Sequence, residues 1–138
     1  MDNQYIEMYD HPLIQDGHTR WDEGDNFWLL GCGDTVYSFW HHPIDIYNSI
    51  WLPTQEQLQD IVGGDWLLLR FIKFCWPDEY CEHADPEAYN HWKRICDACR
   101  EKRIKLDKTY PTIKLKWLGF AMHELHQMTW ENGWVKEV

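Results

Sequence analysis

The chain predicts an α+β fold, with a small N-terminal antiparallel β patch packed with a C-terminal layer of three to four helices. Three observations predict it. Before Gly63-Gly64 the chain is broken repeatedly by Gly, Pro, Asp and His, and the stretches between are short and rich in aromatic and β-branched residues. After it, apolar and charged stretches run long with few breakers. The 138 residues contain no internal repeat and suit one domain, with an acidic β-rich half at 1–62 and a helical half at 63–138.

Segments 2–9 and 12–15 are ambiguous by periodicity. NFWLLGCGDTVYSFW, from Asn26 to Trp40, predicts two short strands around a turn at Gly31-Cys32-Gly33-Asp34. His41-His42-Pro43 stops the second strand, because proline has no N–H to give a ladder. IDIYNSIW, residues 44–51, alternates as a third strand. Pro53-Thr54 then opens a helix in which Thr54 caps the first turn and Gln57 completes a capping box. Leu58, Ile61 and Val62 form its apolar face, and Gly63 ends it. Asp65 is the expected cap of the next helix, WLLLRFIKFCW, whose nearly all-round apolarity predicts a buried central helix, with a buried strand as the alternative. A helix from Asp85 to about Leu106 follows, with Pro86 at its first position. The last helix is expected from Thr112, its cap, to Trp130, with Leu118, Ala121, Leu125 and Met128 on one face. Asn132-Gly133 stops it and leaves the tail WVKEV.

Charge is divided unevenly along the chain. Of the net −10, residues 1–65 hold twelve acids against the single base Arg20, whereas 66–138 hold eleven acids and twelve bases. Nine of those bases crowd into 93–116 beside three acids. An acidic half repels nucleic acid and attracts cationic protein surfaces, so the expected partner is a protein with a basic surface and direct nucleic-acid binding is not expected. The contact surface this predicts is Asp10, Asp16, Asp22, Glu23 and Asp25, with Trp21 as aromatic anchor. The basic run, including Lys102, Arg103, Lys105 and Lys108, is expected to neutralise the acidic half within the fold or across a homodimer. No apolar run approaches the ~18 residues of a membrane span. The start MDNQYIEMYD lacks a signal peptide, and five cysteines is an odd number. Together these features place reduced thiols in a cytoplasm.

The candidate chemistry lies mostly in cysteine and histidine. Cys75, Cys81, Cys96 and Cys99 give C-x5-C-x14-C-x2-C, four thiols at a spacing zinc accepts, with His83 or His91 able to replace one. Helix geometry offers the other reading. At ~100° per residue, Cys96 and Cys99 share the apolar stripe of Trp92, where cysteine serves as a small core hydrophobe and no cofactor is needed. His123-Glu124-Leu125-His126 spaces its histidines at i and i+3, one short of the metalloprotease pattern, and reads as a solvated helix face. His41-His42 with Asp45 reads as polar edge material beside an acid–base alternative. Cys32 sits among apolar and acidic neighbours that disfavour a thiolate. With no phosphate loop, dinucleotide fingerprint or complete catalytic set, the sequence points away from an enzyme.

Four segments carry a resemblance: HPLIQDGHTRW, EGDNFWL, SIWLPTQEQLQDIV and GFAMHELHQMTWENGWV, in that order. They resemble small bacteriophage- and prophage-encoded proteins with a His-Pro-x-Ile-Gln opening, a Trp-Leu-Pro-x-Gln-x-Gln-Leu-Gln middle and a Trp-x-Asn-Gly end. Residues 65–110 have little counterpart. The resemblance implies a phage accessory or anti-defence factor that binds and modulates a host protein in the bacterial cytoplasm. The alternatives are a zinc-stabilised interaction module and a small-nucleotide-binding protein with an aromatic pocket, since aromatic side chains stack on bases.

Overall fold

A computed structural model of the chain describes residues 3–16, 26–29, 36–38, 49–79 and 97–137. The fold is mixed α and β and mainly helical: α1 (Asn3–Tyr9), α2 (Pro12–Gln15), β1 (Asn26–Leu29), β2 (Val36–Ser38), β3 (Ser49–Leu52), α3 (Gln55–Val62), α4 (Leu67–Cys75), α5 (Asp97–Thr109), α6 (Ile113–His126), β4 (Met128–Trp130) and β5 (Trp134–Lys136). Two compact units divide it, residues 1–61 with 130–135 and residues 62–129 with 136–138.

In the first unit, the ambiguous segments are the helices α1 and α2. His11 caps α2 by accepting the Leu13 N–H on Nδ1, at 3.1 Å, and Pro12 takes the first helical position, where its missing N–H costs nothing. The sheet has order β2-β1-β3 and both pairings are antiparallel, with Phe27 opposite Tyr37 on one side and Trp51 on the other. β3 is therefore an edge strand, and Gln15 covers it. The Gln15 amide accepts the Trp51 N–H at 2.9 Å and donates to the Trp51 carbonyl at 3.0 Å, satisfying the edge as a neighbouring strand would. The same amide nitrogen donates to the Tyr9 carbonyl at 2.8 Å, so one side chain fixes α1, α2 and β3 together. Ile6, Met8, Tyr9, Ile14, Ile50, Trp51, Leu52 and Leu58 are buried, and the Trp134 indole N–H donates to the Met8 carbonyl at 2.8 Å.

The expected capping box at the start of α3 forms. Thr54 N–H donates to Gln57 Oε1 at 2.8 Å, and Gln57 N–H donates to Thr54 Oγ1 at 3.2 Å. Beyond Val62, Gly63 and Gly64 both take positive φ, 56° and 86°, which ends the helix where a side chain would be strained.

The second unit departs from expectation in its centre. α4 is not the buried helix. Only Phe71 and Cys75 are buried on it, while Leu68 and Leu69 are 63% and 40% exposed. Its N-cap is Trp66, in the left-handed conformation and 77% exposed, and not Asp65. The buried helix is α6, where Leu115, Lys116, Trp117, Leu118, Gly119, Phe120, Ala121 and Met122 are all inaccessible. Thr112 caps it as expected, accepting the Leu115 N–H at 3.1 Å. Phe71 of α4 stacks on Trp117 with ring centroids 3.7 Å apart, and Phe120 meets both rings edge-on. Tyr110 lies against Gly119 so closely that a Cβ there would fall 2.5 Å from its ring.

α6 ends at His126, not Trp130. Gln127 turns left-handed and caps it, and the following residues form a β4–β5 hairpin in place of a helical end and tail. Asn132 (φ 57°) and Gly133 (φ 152°) supply its turn, and Trp130 meets Trp134 edge-on at 5.4 Å. Of the expected face, Leu118 and Ala121 are buried, Leu125 is exposed and Met128 lies beyond the helix. α5, expected to stop near Leu106, continues to Thr109, just before Pro111.

A cationic cleft on the helical unit

The second unit carries a cleft of about 550 Å³. Each of its three helices contributes one stripe at helical spacing: Arg70, Lys73 and Phe74 from α4, Lys102, Lys105, Leu106 and Thr109 from α5, and Phe120, His123 and Glu124 from α6. Tyr110, Thr129 and Glu137 complete the lining. Its floor is apolar, with Phe74 packed against Phe120 at 5.5 Å and against the His123 ring at 5.3 Å. Its rim is charged.

Two of the rim side chains face carboxylates of the cleft itself. Arg70 lies 3.6 Å from Glu124 and donates to the Gly63 carbonyl at 2.5 Å. His123 Nδ1 faces both carboxylate oxygens of Glu137 at 2.8 Å. Glu137 is itself fixed, since its N–H donates to the Gln127 carbonyl at 2.8 Å, and Lys136 Nζ donates to the His126 carbonyl at 2.7 Å. The His123-Glu124 pair is therefore part of a cleft wall and not simply a solvated face.

Below the cleft, Lys116 is buried, with its ammonium donating to the Tyr110 carbonyl at 2.5 Å and lying 3.2 Å from Asp107. Arg103 binds Asp78 at 3.1 Å, with Glu79 and Asp107 at 3.8 and 3.9 Å. The hydrogen bond to Asp78 raises its already high pKa further. The ion pairs described for these two members of the basic run are thus with acids of the same unit, not with the acidic N-terminal half.

Cys75 and Cys99 are buried and neither is in a disulfide. Burial pushes the Cys75 thiol up to about 12, against a partial opposing pull from Lys116, so it is a neutral core group at ordinary pH. The other two cysteines of the zinc reading, Cys81 and Cys96, lie outside the described residues, as do His83 and His91. Among the described residues no group of three or more His, Cys, Asp or Glu side chains converges as a metal site would require. Of the acidic contact surface, Asp10 and Asp16 are exposed, with Asp16 at the C-terminal end of α2. Trp21, Asp22, Glu23 and Asp25 lie outside the described residues, and so do Cys32, His41, His42 and Asp45. No helix among the described residues is long and apolar enough to cross a membrane.

The cleft was missed in the sequence because no one segment contains it. Its signal is one spacing written three times, lining residues at i, i+3 and i+4 (Arg70, Lys73 and Phe74; Lys102, Lys105 and Leu106; Phe120, His123 and Glu124), on three separate helices. Comparison with protein-family models, with curated proteins and with solved structures returns no match. The site therefore has to be read from its own chemistry.

Proposed function

We propose that this chain is a non-enzymatic binding protein whose cleft takes a small anionic ligand with an aromatic portion, the class to which small nucleotides belong. One observation supports it above the rest: Arg70, Lys73, Lys102 and Lys105 line one cleft with the half-exposed ring of Phe74, in a chain whose net charge is −10. A polyanion such as nucleic acid meets the repulsion of the whole molecule, whereas a small anion responds to the local field of the cleft. The volume falls in the ~300–1,000 Å³ range of small-molecule sites. A thermal-shift panel of nucleotides and simple anions tests the reading, since a ligand at ~100 times its dissociation constant adds roughly 2.7 kcal/mol. No shift across the panel sinks it.

A second reading concerns the acidic N-terminal segment, as the surface of a phage accessory or anti-defence factor that binds a basic host protein. The exposure of Asp10 and Asp16 supports it. Charge reversal at both positions should abolish recovery of a partner from host lysate, and unchanged recovery removes the reading.

A further inference from the structure

The cleft carries its own charge limit. Its cations are Arg70, Lys73, Lys102 and Lys105, and its carboxylates are Glu124 and Glu137, a formal excess of two positive charges among the lysine, arginine and glutamate side chains. The two carboxylates are placed rather than floating. Glu124 faces Arg70 at 3.6 Å, and Glu137 is held at its carboxylate by His123 and at its backbone by Gln127. Lys73 and Lys102, by contrast, take part in no ion pair among the described residues. They come from α4 and α5 and share the cleft with the half-exposed ring of Phe74, behind which Phe120 and Tyr110 are buried.

We infer that the cleft selects a ring-bearing dianion of the nucleoside-monophosphate class, with the ring against Phe74 and the dianion at Lys73 and Lys102. Glu124 and Glu137 disfavour ligands of higher charge. This rests on the reading of the cleft as an anion site. Charge matching supplies the reason. A dianion neutralises the excess, whereas each further negative charge is placed against a fixed carboxylate whose partner is already satisfied. Glu137 is then a specificity-determining residue, and it is exposed enough to be changed without disturbing the core.

The test is isothermal titration of the full chain, without magnesium, using inorganic phosphate, adenosine, AMP, ADP and ATP as probes. AMP should bind more tightly than phosphate, adenosine or ATP. Lys102→Gln should weaken AMP by about three- to tenfold, the effect of one charge a few ångströms away in a partly solvated site. Glu137→Gln should move the AMP-to-ATP ratio toward ATP by about the same factor. Circular dichroism melts of both variants should match the parent. If ATP binds at least as tightly as AMP, or Glu137→Gln leaves the ratio unmoved, the selection is overturned while the anion site stands. If no phosphate-bearing probe binds, the anion reading falls and this inference with it.

Discussion

Gly119→Ala is the sharpest test of how the helical unit is built. Gly119 lies in the middle of α6 with buried neighbours on every side, and a Cβ there would stand 2.5, 2.6 and 2.8 Å from three atoms of the Tyr110 ring. Carbon atoms prefer ~3.5–4.0 Å, so the overlap is near 1 Å. Tyr110 cannot swing aside easily, being 1% exposed with its carbonyl held by Lys116. Two effects compete. Alanine in a helix interior gains about 1 kcal/mol over glycine. Forcing extra volume into a packed core costs about 1–3 kcal/mol, and an overlap with three ring atoms belongs at the upper end. The clash wins, and the net destabilisation is about 2 kcal/mol. For a chain of this length that lowers the melting midpoint by roughly 6–10 °C. Calorimetry of Gly119→Ala, Tyr110→Leu and the double variant measures it, with the pair expected to couple because leucine relieves the overlap. An unchanged or higher midpoint for Gly119→Ala would refute the placement of Tyr110 against α6, and with it one wall of the cleft.

Gln15→Ala removes the only side chain seen to satisfy the Trp51 N–H and carbonyl on the β3 edge among the described residues, and should cost about 1–3 kcal/mol in chemical denaturation. A loss below a few tenths would show that the edge is satisfied without it. Thr112→Ala, which deletes the cap on Leu115, should cost about 1 kcal/mol by the same assay, and no change would remove the cap from the account of α6. Lys116→Met strips the Tyr110 carbonyl and Asp107 of a buried cation and should cost about 2–3 kcal/mol, with a stabilised variant as the opposing result. Cys75 gives a pH prediction. Its thiol titrates higher folded, at about 12, than its ordinary 9.0, so the stability it contributes is whole below pH 9 and is lost as pH rises toward 12. Native-state alkylation mapped by peptide mass should accordingly leave Cys75 and Cys99 unlabelled at pH 8 until denaturant is added, and prompt labelling of either would contradict their burial.

What the sequence revealed about this fold was local chemistry. Thr54 with Gln57, Thr112 before Leu115, and the stop at Gly63 are each settled within four residues, and each forms as read. Errors arose where two local readings compete and packing decides. α4 and α6 are both apolar enough to be central, and α4 is the more apolar on average, though its Arg70 and Lys73 make it one-faced. The burial of α6 follows from having neighbours on all sides, which composition does not record. The hairpin after α6 was hidden by helical periodicity carried one turn too far, through Met128. The turn signal was nevertheless present: Asn132-Gly133 between Met-Thr-Trp and Trp-Val-Lys is a hairpin signature, and it was read as a helix stop. In the cleft, the four cations were countable in the sequence, but their convergence on Phe74 and Phe120 depends on tertiary packing alone.

The positions of the quoted sequence motifs separate frame from site. In the opening motif, His11 caps α2 and Gln15 clips the β3 edge. In the middle motif, Trp51 receives that clip, and Thr54 and Gln57 form the capping box. In the final motif, Asn132 and Gly133 turn the hairpin and Trp134 reaches the Met8 carbonyl. These residues do structural work, and most of it is in the first unit. The cations of the cleft fall at Arg70, Lys73, Lys102 and Lys105, between the middle and final segments. Of the cleft lining, Phe120, His123, Glu124 and Thr129 lie within the final segment. A protein sharing the motifs should therefore share the Gln15 clip and the hairpin, while nothing in the motifs requires it to share the ligand.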